Sequence, residues 1–159
     1  GLGDVYKRQL VSGTGLTTDA YHVTTPHPQG VGLSAVIKQA LNNAGLQGED
    51  IQYVNAHGTS TRLNDVTEGR VIEKEIGRHV SVTSLKGAIG HTLAAAGAVE
   101  TVMTILSVKH GIIPPTVNLS SVDPEINLDV VYGESRELKI RHALKLSMGF
   151  GGHLSLIHI

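Results

Sequence analysis

A layered α/β fold with a mixed sheet is the architecture this sequence predicts, and three observations predict it. Short β-prone runs alternate with segments of helical apolar spacing in the order β-α-β-α-β-α-β-β, with one more strand candidate at the end. Glycine and proline punctuate the joins. The polar motifs fall where strands end and helices begin, which is where α/β proteins place their sites.

Taken in order, residues 10–15 are short, apolar and glycine-containing and read as a strand. Residues 17–30 are polar, hold Pro26 and Pro28, and read as a loop. Residues 32–44 place Leu33, Val36, Ile37, Ala40 and Leu41 at helical spacing, and Gly45 is a natural C-terminal cap. Residues 51–55 are the next strand. A helix then starts near Asn64, where Asp65 and Glu68 form a D-x-x-E pattern like a capping box; it runs through Val71, Ile72 and Ile76 and stops at Gly77. Residues 80–83 are again β-prone. Residues 93–108 are apolar on nearly every side, interrupted by Glu100, Thr101, Thr104 and Ser107, which predicts a helix buried all round. Gly111 ends it and Pro114-Pro115 block its continuation. Residues 128–132, 143–147 and 154–159 are the last strand candidates.

Composition narrows the function classes. A length of 159 residues fits about one domain. A net charge of −1 gives no basic field for nucleic acid or anionic lipid. No apolar run reaches the roughly 18 residues of a simple membrane-spanning helix. The absence of cysteine excludes disulfides, thiolate metal sites and a cysteine nucleophile on this chain. Charged residues make up 17%, against the roughly 25% usual for soluble domains, and the sequence does not open on methionine. The second feature fits an incomplete chain and the first a piece that normally covers much of its surface with something else; a trimmed independent domain is the alternative.

Four motifs could carry chemistry. In Asn55-Ala56-His57-Gly58-Thr59-Ser60-Thr61 a histidine leaves a strand tip among small residues, open to a ligand. A lone histidine there reads equally well as a turn residue bonded to backbone. In Ser84-Leu85-Lys86-Gly87-Ala88-Ile89-Gly90-His91 the histidine stands at the expected start of the apolar helix, whose positive end disfavours imidazolium; a neutral ring can donate to a carbonyl or oxyanion. Lys86 reads either as a solvated lysine or as the partner of Glu100, a carboxylate expensive to bury alone. In Ser147-Met148-Gly149-Phe150-Gly151-Gly152-His153 a glycine loop could line an oxyanion site with its amides, although glycine-rich turns often just end strands. There is no P-loop, no G-x-G-x-x-G and no zinc motif.

The motifs N-A-H-G-T-S-T, K-G-x-x-G-H with L-A-A-A-G-A-V-E, P-P-T-x-N-L and G-F-G-G-H, in this order and spacing, strongly resemble the C-terminal half of the β-ketoacyl-[acyl-carrier-protein] synthases. The elongating type of bacterial fatty acid synthesis is the best match, over about residues 10–153. The resemblance implies a thiolase-like fold: two similar halves, each a mixed five-stranded sheet layered with helices, sharing a buried helical layer. It implies decarboxylative condensation of an acyl group, held on a cysteine of the missing N-terminal half, with malonyl-[acyl-carrier protein]. His57 and His91 match the two catalytic histidines and Lys86 the active-site lysine, paired with the acid that Glu100 matches. Asp65 and Glu68 match acidic positions near the first histidine, and Thr59 and Thr61 belong to the same supporting set. Met148, Gly149, Phe150, Gly151 and Gly152 match the acyl-pocket and oxyanion loop.

Two departures stand out. Met148 occupies the place of a phenylalanine gate, and Arg62 replaces a proline that often follows T-S-T. Polyketide ketosynthases and chain-length-factor subunits share much of the pattern, and a stand-alone binding domain is the reading from another class. Residues 1–9 match nothing in the family and read as a non-native leader, leaving 10–159 as the C-terminal domain. The same suspicion attaches to 154–159, which also fit the expected last strand. The resemblance further implies a cytoplasmic homodimer that works with acyl carrier protein and uses no cofactor, metal, nucleic acid or membrane.

Overall fold

Two glycines set how close the first helix lies to the sheet. In β1 (Gly13–Thr18), Gly13 and Gly15 share one face, and a Cβ on either would land on a carbonyl oxygen of α1 (Val31–Ala44), that of Ala40 or of Val36. The missing side chains let helix and strand backbones meet directly. The computed structural model describes residues 11–159, so the expected leader at 1–9 and the first residue of the expected strand 10–15 lie outside the described residues. β1 runs to Thr18, past the expected loop boundary, because it pairs with the last strand as far as Thr18. α1 buries Leu33, Val36, Ile37, Ala40 and Leu41, the positions its spacing predicts, and Gly45 closes it at φ 71°.

The remaining elements are β2 (Tyr53–Asn55), α2 (Arg62–Glu75), β3 (Ser81–Thr83), a single turn α3 (Lys86–Ile89), α4 (Ala96–His110), β4 (Ile112–Ile113), β5 (Asp129–Val130), β6 (Arg136–Glu137), β7 (Ala143–Gly149) and β8 (His153–His158). The sheet order is β1-β8-β7-β2-β3-β5. β8 is antiparallel to both neighbours, and β7, β2, β3 and β5 run parallel. β4 and β6 form a separate two-stranded ribbon. The mixed α/β layering is as predicted, with one strand more than the five that the resemblance implies. The extra one is the short β5, held at the β3 edge by Val131 N–H donating to Val82 O at 3.0 Å and by Ser81 Oγ–H donating to Asp129 at 3.1 Å.

Both faces of the sheet are covered. Val54, Leu144 and Leu146 join Val36, Ile37 and Ile72 in the core under α1 and α2. Tyr53 and Ala143, one position earlier on the same strands, turn to the other face and pack with Ile113, Val131 and Ile140. Each such large aliphatic side chain contributes about 1.5–3 kcal/mol by leaving water.

Two expectations are corrected here. Helix α2 starts at Arg62 with Thr61 as its cap residue, so Asp65 and Glu68 lie inside the helix and make no capping box. The apolar helix is not buried all round: α4 begins at Ala96 after a short 3-10 turn over Leu93–Ala95, and it buries Ala96, Glu100, Thr104 and Ser107. Val102 is 55% exposed and Val99, Met103 and Leu106 are partly so. The polar stripe faces the sheet because the groups there satisfy one another. Asn55 Nδ2–H donates to Thr104 Oγ1 at 2.9 Å and to Glu100 O at 3.2 Å. Among the described residues, no helix is long and apolar enough to cross a membrane.

Candidate active site

The loop leaving β2 is shaped by two carboxylates of α2. His57 N–H donates to Glu68 Oε1 at 2.7 Å and Gly58 N–H to Oε2 at 2.9 Å. The next two amides, of Thr59 and Ser60, face Asp65 and favour its charged form. The i, i+3 spacing puts both acids on one helix face, so four successive amides face adjacent carboxylates and two of them bond Glu68. That is what the D-x-x-E pattern does here: it caps the loop before the helix. The loop accommodates this with left-handed backbone at Gly58 (φ 45°) and Ser60 (φ 63°). A Cβ on Gly58 would stand 2.5 Å from Ser84 Cβ, and Ser84 Oγ–H donates to Gly58 O at 2.9 Å. Burial pushes Glu68 up to about 7 and also raises Asp65.

His57 emerges from this loop 6% exposed, its Nδ1 without a hydrogen-bond partner among the described residues. Burial, and then the charges of Lys86, His91 and Lys145, push it down to about 3, so the ring is neutral at physiological pH. His91 lies across from it, the ring centroids 5.4 Å apart and the planes at 83°. It does not sit at the start of α4 but five residues before it, because Leu93 at φ 50° breaks the helical path. Its orientation comes from Leu93 N–H, which donates to His91 Nδ1 at 3.1 Å. A neutral imidazole accepting at Nδ1 carries its proton on Nε2, ready to donate.

Behind the histidines lies a buried charge cluster. Lys86, the first residue of α3, places Nζ 2.6 Å from Glu100 Oε1, with side chains 5% and 1% exposed. The expected lysine–glutamate pair is therefore present. Lys145 Nζ stands 2.9 Å from the other oxygen, Oε2, and also donates to Ser147 Oγ.

A pocket of about 700 Å³ opens over His57 and His91. Thr59, Thr61, Met148, Gly149, Phe150 and Gly152 line it, while Asp65, Glu68, Lys86, Glu100 and Gly151 are not part of its wall. Gly151 N–H is already bonded to Val23 O at 2.7 Å, which removes that amide as an oxyanion donor. Residues 9–120 match the family model described as "Beta-ketoacyl synthase, C-terminal domain". The chain belongs to the β-ketoacyl synthase family. It is 46% identical over 144 residues to the 3-oxoacyl-[acyl-carrier-protein] synthase 2 of Synechocystis sp., covering 89% of this chain and 35% of that protein. Against the Staphylococcus aureus protein of the same name it is 41% identical over 150 residues, 92% of this chain and 37% of that one. A solved ketosynthase, from a type II polyketide system in complex with its acyl-carrier protein, superposes with a TM-score of 0.88 at 34% identity, over 93% of this chain and 37% of that one. The chain thus spans little more than a third of the curated relatives it matches.

Within this β-ketoacyl synthase domain, sequence reasoning missed Lys145 and Asn55. A lysine in Ala143-Leu144-Lys145-Leu146-Ser147 reads as the solvent position of an alternating strand. Only the parallel pairing of β7 with β2, which makes it an interior strand covered on both faces, shows otherwise.

Proposed function

We propose that the protein carrying this domain is a 3-oxoacyl-[acyl-carrier-protein] synthase that elongates fatty acids, with residues 10–159 as its C-terminal half. The observation that carries the reading is the pairing of His57 and His91 at one pocket, one ring buried and neutral, the other held with Nε2 free. Decarboxylation of a malonyl thioester breaks a carbon–carbon bond, releases CO₂ and moves the electron pair towards the thioester oxygen. Two N–H donors at that oxygen are what a developing enolate requires. The enolate carbon then attacks an acyl thioester, and the new carbon–carbon bond forms as thiolate leaves.

That acyl thiolate has to come from outside the chain, which contains no cysteine. On this reading the N-terminal half supplies it, and acyl carrier protein delivers the acyl and malonyl groups to a cytoplasmic homodimer. Lys86 and Glu100 support the site from behind. Met148, Gly149, Phe150 and Gly152 wall the acyl pocket.

The test is release of labelled CO₂ from malonyl-[acyl-carrier protein] by the full-length protein. Each of His57→Gln and His91→Gln is expected to slow decarboxylation by roughly 10²-fold or more. A rate unchanged in the double variant would overturn the assignment. The likeness to a polyketide ketosynthase favours a second reading, in which the same pocket serves polyketide extension. Product length and repeated extension without ketoreduction would distinguish it. A soluble full-length protein with no CO₂ release at all would point to a chain-length-factor-like subunit.

A further inference from the structure

Lys145 is a second buried cation that the paired histidines do not by themselves require. It is 1% exposed on an interior strand, where a lone ammonium is costly, and burial lowers its proton affinity. Its Nζ reaches Glu100 Oε2 at 2.9 Å while Lys86 holds Oε1 at 2.6 Å, so two cations from two elements grip one carboxylate from opposite oxygens. Lys145 also bonds Ser147, which precedes the pocket residues Met148 and Gly149. Register places it beside Asn55 of β2, whose amide bonds the backbone carbonyl of Glu100 two residues before His57. One side chain therefore links the pocket loop, the helix acid and the histidine strand.

We propose that Lys145 is a positioning residue for the condensation site: it clamps Glu100 so that the other carboxylate oxygen stays on Lys86, and it supplies a fixed second positive charge behind His57. The proposal deepens the ketosynthase reading and rests on it for its kinetic consequence only. Around His57 the charged and titratable groups are Lys86 on α3, His91 on the following loop, Lys145 on β7, Glu68 on α2 and Glu100 on α4. Three of the five favour the neutral ring. Glu68, pushed up to about 7, supplies little opposing charge below neutrality. Removing Lys145 leaves Glu100 facing a single cation and weakens the bias against imidazolium.

The experiment compares Lys145→Met, Lys145→Gln and Lys145→Arg in the full-length protein. The first readout needs no turnover: histidine ring resonances are followed by NMR against pH, with His57 assigned by its loss in His57→Gln. The neutral variants should titrate His57 higher than wild type by roughly half a pH unit or more, and the arginine variant should not. The second readout is condensation kinetics. The neutral variants should lower kcat roughly tenfold at near-constant KM and move the acid limb of the pH profile upward, with arginine restoring most of both.

An unmoved His57 titration in a folded Lys145→Met protein would overturn the proposal. So would unfolding of both neutral variants while Glu100→Gln stays folded, since Lys145 would then be a determinant of the fold. A moved titration in a protein whose wild type condenses nothing would support the electrostatic role and sink the ketosynthase reading instead.

Discussion

His57 and Glu68 are joined by one hydrogen bond yet respond to pH in opposite senses. Folding lowers the proton affinity of His57 from the ordinary imidazole value near 6.5 to about 3. The unfolded chain takes up that proton first as pH falls, so stability drops between about pH 6.5 and pH 3. Glu68 is raised from 4.5 to about 7, so the folded state binds its proton more tightly and stability is lost as pH rises through that window. Between pH 4.5 and 6.5 the two effects offset, and below 4.5 only that of His57 remains. Urea unfolding of the full-length protein at pH 3.5 and 4.5 should therefore show a steep loss of stability on acidification that is reduced in His57→Gln. An equal loss in both proteins would mean that His57 is protonated in the folded state.

At the scale of the element, the β2–α2 turn depends on backbone geometry as much as on charge. Gly58 is left-handed, and its missing side chain admits Ser84. Gly58→Ala meets both constraints at once and is expected to destabilise the protein by about 2 kcal/mol or more, with loss of CO₂ release; thermal melting beside the decarboxylation assay checks this. Elements that satisfy themselves locally were legible in the sequence. The apolar spacing of α1 and its closing glycine describe that helix with no knowledge of the rest. The strand-exit position of His57, the lysine–glutamate pair and the glycine loop were legible because residue type and order carry them. Other features depend on what lies alongside. The D-x-x-E pattern has the letters of a capping box, and only the path of the preceding loop shows that its carboxylates face the loop amides instead, with Glu68 bonding two of them. Lys145 could not be recognised before β7 was known to lie inside the sheet. His91 was placed on a helix start because nothing in L-A-A-A announces the left-handed Leu93.

For the molecule as a whole, α4 is the telling element, with polar groups turned inward and valine, methionine and leucine turned outward. On the proposed function, the N-terminal half would cover this outward apolar face. Val102→Glu is expected to lower the stability of the full-length protein by about 2 kcal/mol or more, read as a drop in melting temperature, because the charge would enter a covered layer. Unchanged melting would show that this face stays wet. The sheet carries a separate consequence, for the order of assembly. β1, the first described strand, has β8, the last, as its sheet neighbour, and β8 also completes β7. Contacts between such distant segments must overcome a large loop-closure entropy before they return any energy. α1 can settle on β1 early through Gly13 and Gly15, but the edge of β1 that faces β8 stays bare until that strand arrives. A bare edge invites pairing with other chains. Insertion of β8 between β1 and β7 is therefore expected to be a late step for this sheet, and delay in it lengthens the interval in which the two facing edges can pair with other chains.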